Sequence, residues 1–148
     1  MVDVNLGKLA RRLRMLGFDT RYGNRLDDRE VVEIAVRERR IILTRDRRLL
    51  FRKAVTHGYW VRADDPDRQV EEVLRRLDLA AQVEPLRRCL ECNGLIEPVD
   101  RATVWSSLEP KTRRYYDAFY RCPDCGKVYW EGSHVAHMNG AIRRLMER

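Results

Sequence analysis

The sequence has no run of 18 apolar residues and no basic segment followed by an apolar stretch and a small-residue cleavage site. Neither a membrane span nor a secretory leader is expected, which points to a soluble cytoplasmic protein with no membrane role. A Gly-x-Ser-x-Gly elbow is missing and every cysteine stands in a close pair, so no seryl or cysteinyl nucleophile has an activating neighbour. Phosphate-cradling GxxxxGK[ST] and GxGxxG loops are missing too. Histidine is scarce: His57 stands alone and reads as structural, and His134 and His137, three apart, have no acid partner. Lysine is scarcer than arginine by far, with Lys8, Lys53, Lys111 and Lys127 against 26 arginines. Genomic base composition produces that bias as readily as phosphate recognition does. No internal repeat or low-complexity tract occurs.

What is present is charge. Asp, Glu, Lys and Arg make up 36% of the 148 residues, above the roughly 25% usual for globular proteins. A net charge of +7 favours a polyanionic partner, most simply nucleic acid. The hydrophobic fraction of 44% supports a real core. The length suits one domain, or a domain of about 80 to 100 residues with a smaller appendage.

The apolar run Ile41-Ile42-Leu43, closed by Arg40 and by Thr44-Arg45-Asp46, reads as a central parallel strand buried on both faces. Before it, Met1 to Val4 is a short candidate strand. Leu6, Leu9, Leu13 and Leu16 trace one face of a helix ending at Gly17. Phe18 to Tyr22 is a second candidate strand. Asp27 and Glu30 form a capping pattern for a second helix, with Val31, Ile34 and Ala35 buried and Val32 and Val36 flanking. After Asp46, Leu49, Leu50, Lys53 and Ala54 suggest a third helix that gives way near Gly58. Tyr59-Trp60-Val61 reads as another strand, and Asp64-Asp65-Pro66 as the start of a helix faced by Val70, Val73, Leu74 and Leu77. Four alternations of strand and helix predict a three-layer α/β domain over residues 1–78. Its 19 basic and 14 acidic residues leave a balance of +5. Residues 79–88, with Pro85, read as a linker, and residues 89–148 as a small metal-stabilised module ending in a helix from Ser133 with Met138, Ile142, Leu145 and Met146 apolar.

In open parallel sheets ligands bind beyond the carboxyl ends of the strands. Asp3 ends the first candidate strand, Asp46 follows the third, and Asp28 opens the helix after the second. Two like charges about 4 Å apart repel by roughly 4 kcal/mol at an effective dielectric near 20. Acids gathered there need a cation, and hard oxygen ligands select Mg²⁺ or Mn²⁺. Such a site suits phosphodiester hydrolysis. The competing reading is that each acid is a helix cap. Capping accounts fully for Asp27 and suits Asp65 before Pro66, whereas Asp64 is a candidate fourth ligand.

Cys89 and Cys92 form one CxxC and Cys122 and Cys125 another, with 29 residues between the pairs. Two such turns predict a closed, structural tetrahedral zinc site whose binding free energy replaces the core that a module of this size lacks. Gly94 and Gly126 follow the pairs and supply tight backbone. Tyr115, Tyr116, Phe119, Tyr120, Tyr129 and Trp130, interleaved with Arg113, Arg114, Arg121 and Lys127, either stack bases or pack the module; packing is favoured for most.

Taken together, Asp3-Val4-Asn5-Leu6-Gly7-Lys8-Leu9-Ala10-Arg11, Leu13-Arg14-Met15-Leu16-Gly17-Phe18-Asp19, Ile42-Leu43-Thr44-Arg45-Asp46, the two cysteine knuckles and Tyr129-Trp130-Glu131-Gly132-Ser133-His134 resemble the Mut-seven C-terminal RNase family. The likeness covers essentially the whole chain. It implies a PIN-like nuclease domain followed by a zinc ribbon, acting on RNA with Mg²⁺ or Mn²⁺ at Asp3, Asp28 and Asp46. Asp28 is preferred to Asp27 because the family's acid precedes an alanine by seven residues, as Asp28 precedes Ala35. Thr44 would support the Asp46 loop. Two departures stand out: Arg48 occupies a position where related families often carry a further acid, and the residues usual before the first strand are missing, so Met1 is expected to mark a truncated or internal start. On this reading Lys8, Arg12 and Arg45 steady the phosphates. The alternatives are a zinc-ribbon RNA binder without catalysis and an adaptor docking on a larger RNA machine.

Overall fold

The computed structural model describes residues 1–147, apart from the side chains of residues 133–135, 138, 141, 145 and 146. It is a mixed α/β structure with one small parallel and one small antiparallel sheet. The backbone divides into two compact units, Met1–Leu13 with Thr20–Leu79, and Arg14–Asp19 with Ala80–Arg148. Residues 80–88 thus group with the cysteine-bearing unit, and so does the short Arg14–Asp19 segment. Among the described residues no helix is long and apolar enough to cross a membrane.

In the first unit β1 (Ile42–Thr44) pairs in parallel with β2 (Gly58–Trp60), in the register Ile42 to Gly58 and Thr44 to Trp60. Val2 bridges Leu43 on the other side of β1, also in parallel. The Val2 amide in turn donates to the Arg21 carbonyl at 3.0 Å. The lateral order is therefore Arg21, Val2, β1, β2, with chain order reversing between Val2 and β1. Two expected strands are shorter than the sequence implied. Residues 1–4 keep a single bridge at Val2, because a 3-10 turn at Val4–Leu6 begins directly after Asp3. Residues 18–22 form no strand.

The leucine face of α1 (Gly7–Met15) is buried, as its spacing requires. At Asp27 the carboxylate accepts from the Glu30 amide and the Glu30 carboxylate accepts from the Asp27 amide, both at 2.8 Å, and this reciprocal cap starts α2 (Asp28–Glu38). Val31, Val32, Ile34 and Ala35 pack with Met1, Ile42 and Leu49 into one core, each larger side chain stabilising by about 1.5–3 kcal/mol. Of the two flanking valines Val32 is buried and Val36 exposed, and Ile41, expected in the buried run, is exposed as well. Ile41 lies one residue before β1, so the buried run is Ile42-Leu43-Thr44. The helix after Asp46, α3, is one turn long (Arg47–Leu50), and α4 (Pro66–Arg76) starts at an Asp65 cap and buries Val70, Val73 and Leu74.

In the second unit β3 (Glu97–Val99), β4 (Phe119–Arg121) and β5 (Val128–Tyr129) form an antiparallel sheet in that order. The β3–β4 connection holds α5 (Arg101–Val104) and α6 (Pro110–Tyr115). Val104, Leu108 and Phe119 make a small core with Val99, Tyr116, Val128 and Trp130 around it. Helix α7 spans Ser133–Met146, and its N-cap is Gly132 where Ser133 was expected. Ile142 of its apolar stripe is buried; Met138, Leu145 and Met146 lie outside the described side chains, as does His134. Gly17 takes φ +93°, and a Cβ there would run into the Glu84 carbonyl, whose residue donates its amide to Leu16 O at 2.8 Å. Only glycine fits both demands.

Candidate active site and metal centre

The reversal between Val2 and β1 is a topological switch point, the place where open α/β sheets bind ligands at their carboxyl edge. Asp3 leaves the sheet there on one side and Thr44-Arg45-Asp46 on the other. Asp3 is nearly fully buried, and its amide donates to Leu43 O at 3.0 Å. The Thr44 hydroxyl, itself fully buried, donates to Asp3 Oδ2 at 2.8 Å and accepts from the Asp46 amide at 2.9 Å. Two acids 43 positions apart are thereby tied to one hydroxyl. Asp46 Oδ1 caps α3 through the Arg48 amide at 2.9 Å. Among the described residues, Asp3 Oδ1 and Asp46 Oδ2 are left without a protein donor.

Asp28 takes a different partner. It is the first residue of α2 and faces Arg52 Nη2 at 3.8 Å. The three aspartates do not form a group with ligand atoms mutually within 4.8 Å; among the described residues the four cysteines do. Asp27 and Asp65 are caps, as the sequence indicated.

The proposed phosphate contacts are already engaged in part. Arg45 Nη1 pairs with Asp64 and donates to Ala63 O at 2.9 Å. Arg12 Nε pairs with Asp67 at 2.8 Å. Lys8 has no such partner among the described residues. A residue that sequence reasoning overlooked fixes this rim: Glu72 accepts from the Tyr59 hydroxyl at 2.7 Å and from the amides of Arg62 and Ala63, each at 2.9 Å. Burial opposes its charge, but these donors win and hold the carboxyl below its usual range. Its helical position relative to Gln69, which donates to Ala63 O at 2.9 Å, is a signal that could have been read, but its target could not.

In the second unit the two cysteine pairs form matching turns. Cys89 N donates to Gly94 O and Asn93 N to Cys89 O; Cys122 N donates to Lys127 O and Gly126 N to Cys122 O. The fifth residue of each turn is left-handed, Asn93 at φ +67° and Gly126 at +82°, so the tight backbone of the first turn falls on Asn93 and not on Gly94. The Sγ atoms of Cys89 and Cys125 are 3.6 Å apart, and those of Cys92 and Cys122 3.4 Å. Tetrahedral zinc with bonds of about 2.3 Å needs sulfurs about 3.8 Å apart, so these residues fit the ion. Burial raises the Cys89 thiol, yet the Tyr129 hydroxyl and the amides of Cys92 and Glu91 bring it down to about 7. Cys92 is pushed up to about 12, by burial and by its sulfur neighbours. A thiolate cannot be surrounded by thiolates without a cation, which is the condition a metal ion removes.

Tyr129 anchors this centre, its hydroxyl donating to Cys89 Sγ at 3.0 Å and accepting from the Leu90 amide at 2.9 Å. Buried Arg14 donates to Leu90 O at 2.9 Å, and burial lowers its pKa. Of the aromatics, Phe119 is core, Tyr116 and Trp130 pack on it, and Tyr115 is exposed.

No curated protein and no solved structure matches the chain. The family model described as Mut7-C RNAse domain, however, matches residues 1–142, spanning the Thr44-linked aspartates and both cysteine turns alike, and the chain belongs to that family.

Proposed function

We propose that this protein is a divalent-metal-dependent ribonuclease that hydrolyses RNA phosphodiester bonds at the rim bearing Asp3, Asp46 and Asp28. The observation that carries the reading is the Thr44 hydroxyl shared between Asp3 and Asp46 at the switch point, in a chain of an RNase family. Asp3 Oδ1 and Asp46 Oδ2 would hold Mg²⁺ or Mn²⁺, with Asp28 joining if it leaves Arg52. The bound ion would supply an activated water and stabilise the charge of the in-line displacement. Thr44 holds the Asp3 carboxylate and the Asp46 backbone in place, and Lys8, Arg12 and Arg45 meet phosphates, the arginines with the N–H groups their acid partners leave over.

In this reading residues 1–78 are a three-layer PIN-like domain, 79–88 a linker, and 89–148 a zinc ribbon with a C-terminal helix, working in the cytoplasm. The four cysteines hold zinc, closed on all sides and therefore structural, and the ribbon adds RNA-binding surface.

A second reading, an RNA binder or adaptor without catalysis, draws on the partners these acids already have: Asp46 as a cap and Asp28 against Arg52. Incubating a mixed RNA pool with Mn²⁺ separates the two. Cutting by the native chain that is lost in Asp46→Asn supports the nuclease. RNA binding with no cutting by either supports the binder, and equal cutting by both assigns the activity to a contaminant.

A further inference from the structure

Phe51, at the C-terminal end of α3, is 76% exposed, the most exposed large apolar side chain among those described. Its neighbours Leu49 and Leu50 turn inward on the core. It stands in the stretch from Arg45 to Lys53, where five cations accompany the single acid Asp46. A lone exposed apolar residue means little, but Phe51 has company. Arg47 lies four residues before it, so the two share a face of the turn, and the Arg47 guanidinium lies 4.8 Å from the ring centre of Trp60. Trp60 is the register partner of Thr44, and its indole N–H donates to Arg45 O at 3.2 Å. Arg62 stacks on the same ring at 5.1 Å. Arg47 thus stands four residues before Phe51 in the turn and against the Trp60 ring beside the Asp46 loop, with Arg48 and Lys53 unpaired among the described residues.

We propose that Phe51 and Trp60, joined through Arg47, form a stacking track for the bases of single-stranded RNA leading to the Asp3–Asp46 rim, with Arg48 and Lys53 on the phosphates. The inference rests on the nuclease reading only for what happens at the rim. Bases stack on aromatic rings and equally on guanidinium planes, so Arg47 and Arg62 extend the surface of Trp60 and do not block it. The five-residue rise from Asp46 to Phe51, at about 1.5 Å each, is close to the span of one nucleotide. Bases in a duplex are stacked on each other and offer no free face, so the track selects single strands.

The test is the anisotropy of a labelled 12-nucleotide oligouridine titrated with the full zinc-loaded chain, with no added Mg²⁺ or Mn²⁺ so that the strand stays whole. Phe51→Ala, a change at a solvent-exposed position, should weaken binding about 5- to 100-fold and Phe51→Trp should restore it. The slope of log affinity against log salt should not move in either. Changing Arg48 and Lys53 together to Gln should instead flatten that slope by about 1.4. A matching RNA duplex should be indifferent to Phe51. If Phe51→Ala and Trp60→Ala bind the oligomer as the native chain does, or the native chain does not bind it, the track is wrong even if the protein cuts RNA. If binding falls as stated while native and Asp46→Asn chains are equally inert toward RNA, the track stands and the nuclease reading fails.

Discussion

The hydroxyl of Thr44 donates to the carboxylate of Asp3 across 41 residues of sequence, 2.8 Å away and sealed from solvent. A hydroxyl has one proton to give, and here it goes to Asp3, which leaves its lone pairs for the Asp46 amide. Replacing Thr44 with Val keeps the shape and deletes both bonds. Thr44→Val should lose about 1–3 kcal/mol in urea unfolding, since it strands a buried acceptor, and Thr44→Ser should lose clearly less. No loss in Thr44→Val alongside a loss in Thr44→Ser would show that the methyl group, not the hydroxyl, matters.

Metal removal should act on the second unit alone. Four thiols placed to hold one ion, backed by a small core of Val104, Leu108 and Phe119, would make a bound ion part of the fold. A strong chelator should release one zinc per chain and collapse amide-exchange protection around β3, β4 and β5, with β1 and β2 still protected. Uniform loss across both units would contradict this.

Gly94 and Gly126 sit at non-equivalent positions of the two turns and should respond differently to alanine. A Cβ on Gly94 would sit 3.1 Å from Cys122 Sγ and 2.5 Å from Asp124 Oδ2; the aspartate can swing aside, whereas a bound metal would fix the sulfur. On Gly126 it would meet nothing, but the backbone is left-handed at φ +82°. Gly94→Ala should therefore weaken zinc affinity in a chelator competition. Gly126→Ala should cost about 1–2 kcal/mol of folding stability, with affinity changed less.

Glu72 makes the rim sensitive to acid. Burial works against its charge, but donors from Arg62, Tyr59 and Ala63 depress its folded pKa below the unfolded value. Its contribution is complete above the unfolded pKa of about 4.3 and disappears as pH falls through the lower folded value. Urea midpoints of the native chain and Glu72→Gln should differ at pH 7 and converge below about pH 4. A gap that persists at low pH would point to packing, not charge.

Local pattern carried much of this protein. Leucine spacing located α1, the Asp27–Glu30 pair its successor, and the two CxxC turns a four-cysteine centre, because helix period, caps and knuckles are set by residues a few positions apart. The short first strand and the one-turn α3 were harder to read, since pairing and not propensity limits them. Which acid meets which partner was decided only by the tertiary structure. Asp3, Asp28, Asp46 and Asp64 look alike in sequence, yet one meets Thr44, one Arg52, one a helix amide and one Arg45. Those choices depend on where distant segments cross at the sheet edge, and charge alone says nothing of direction.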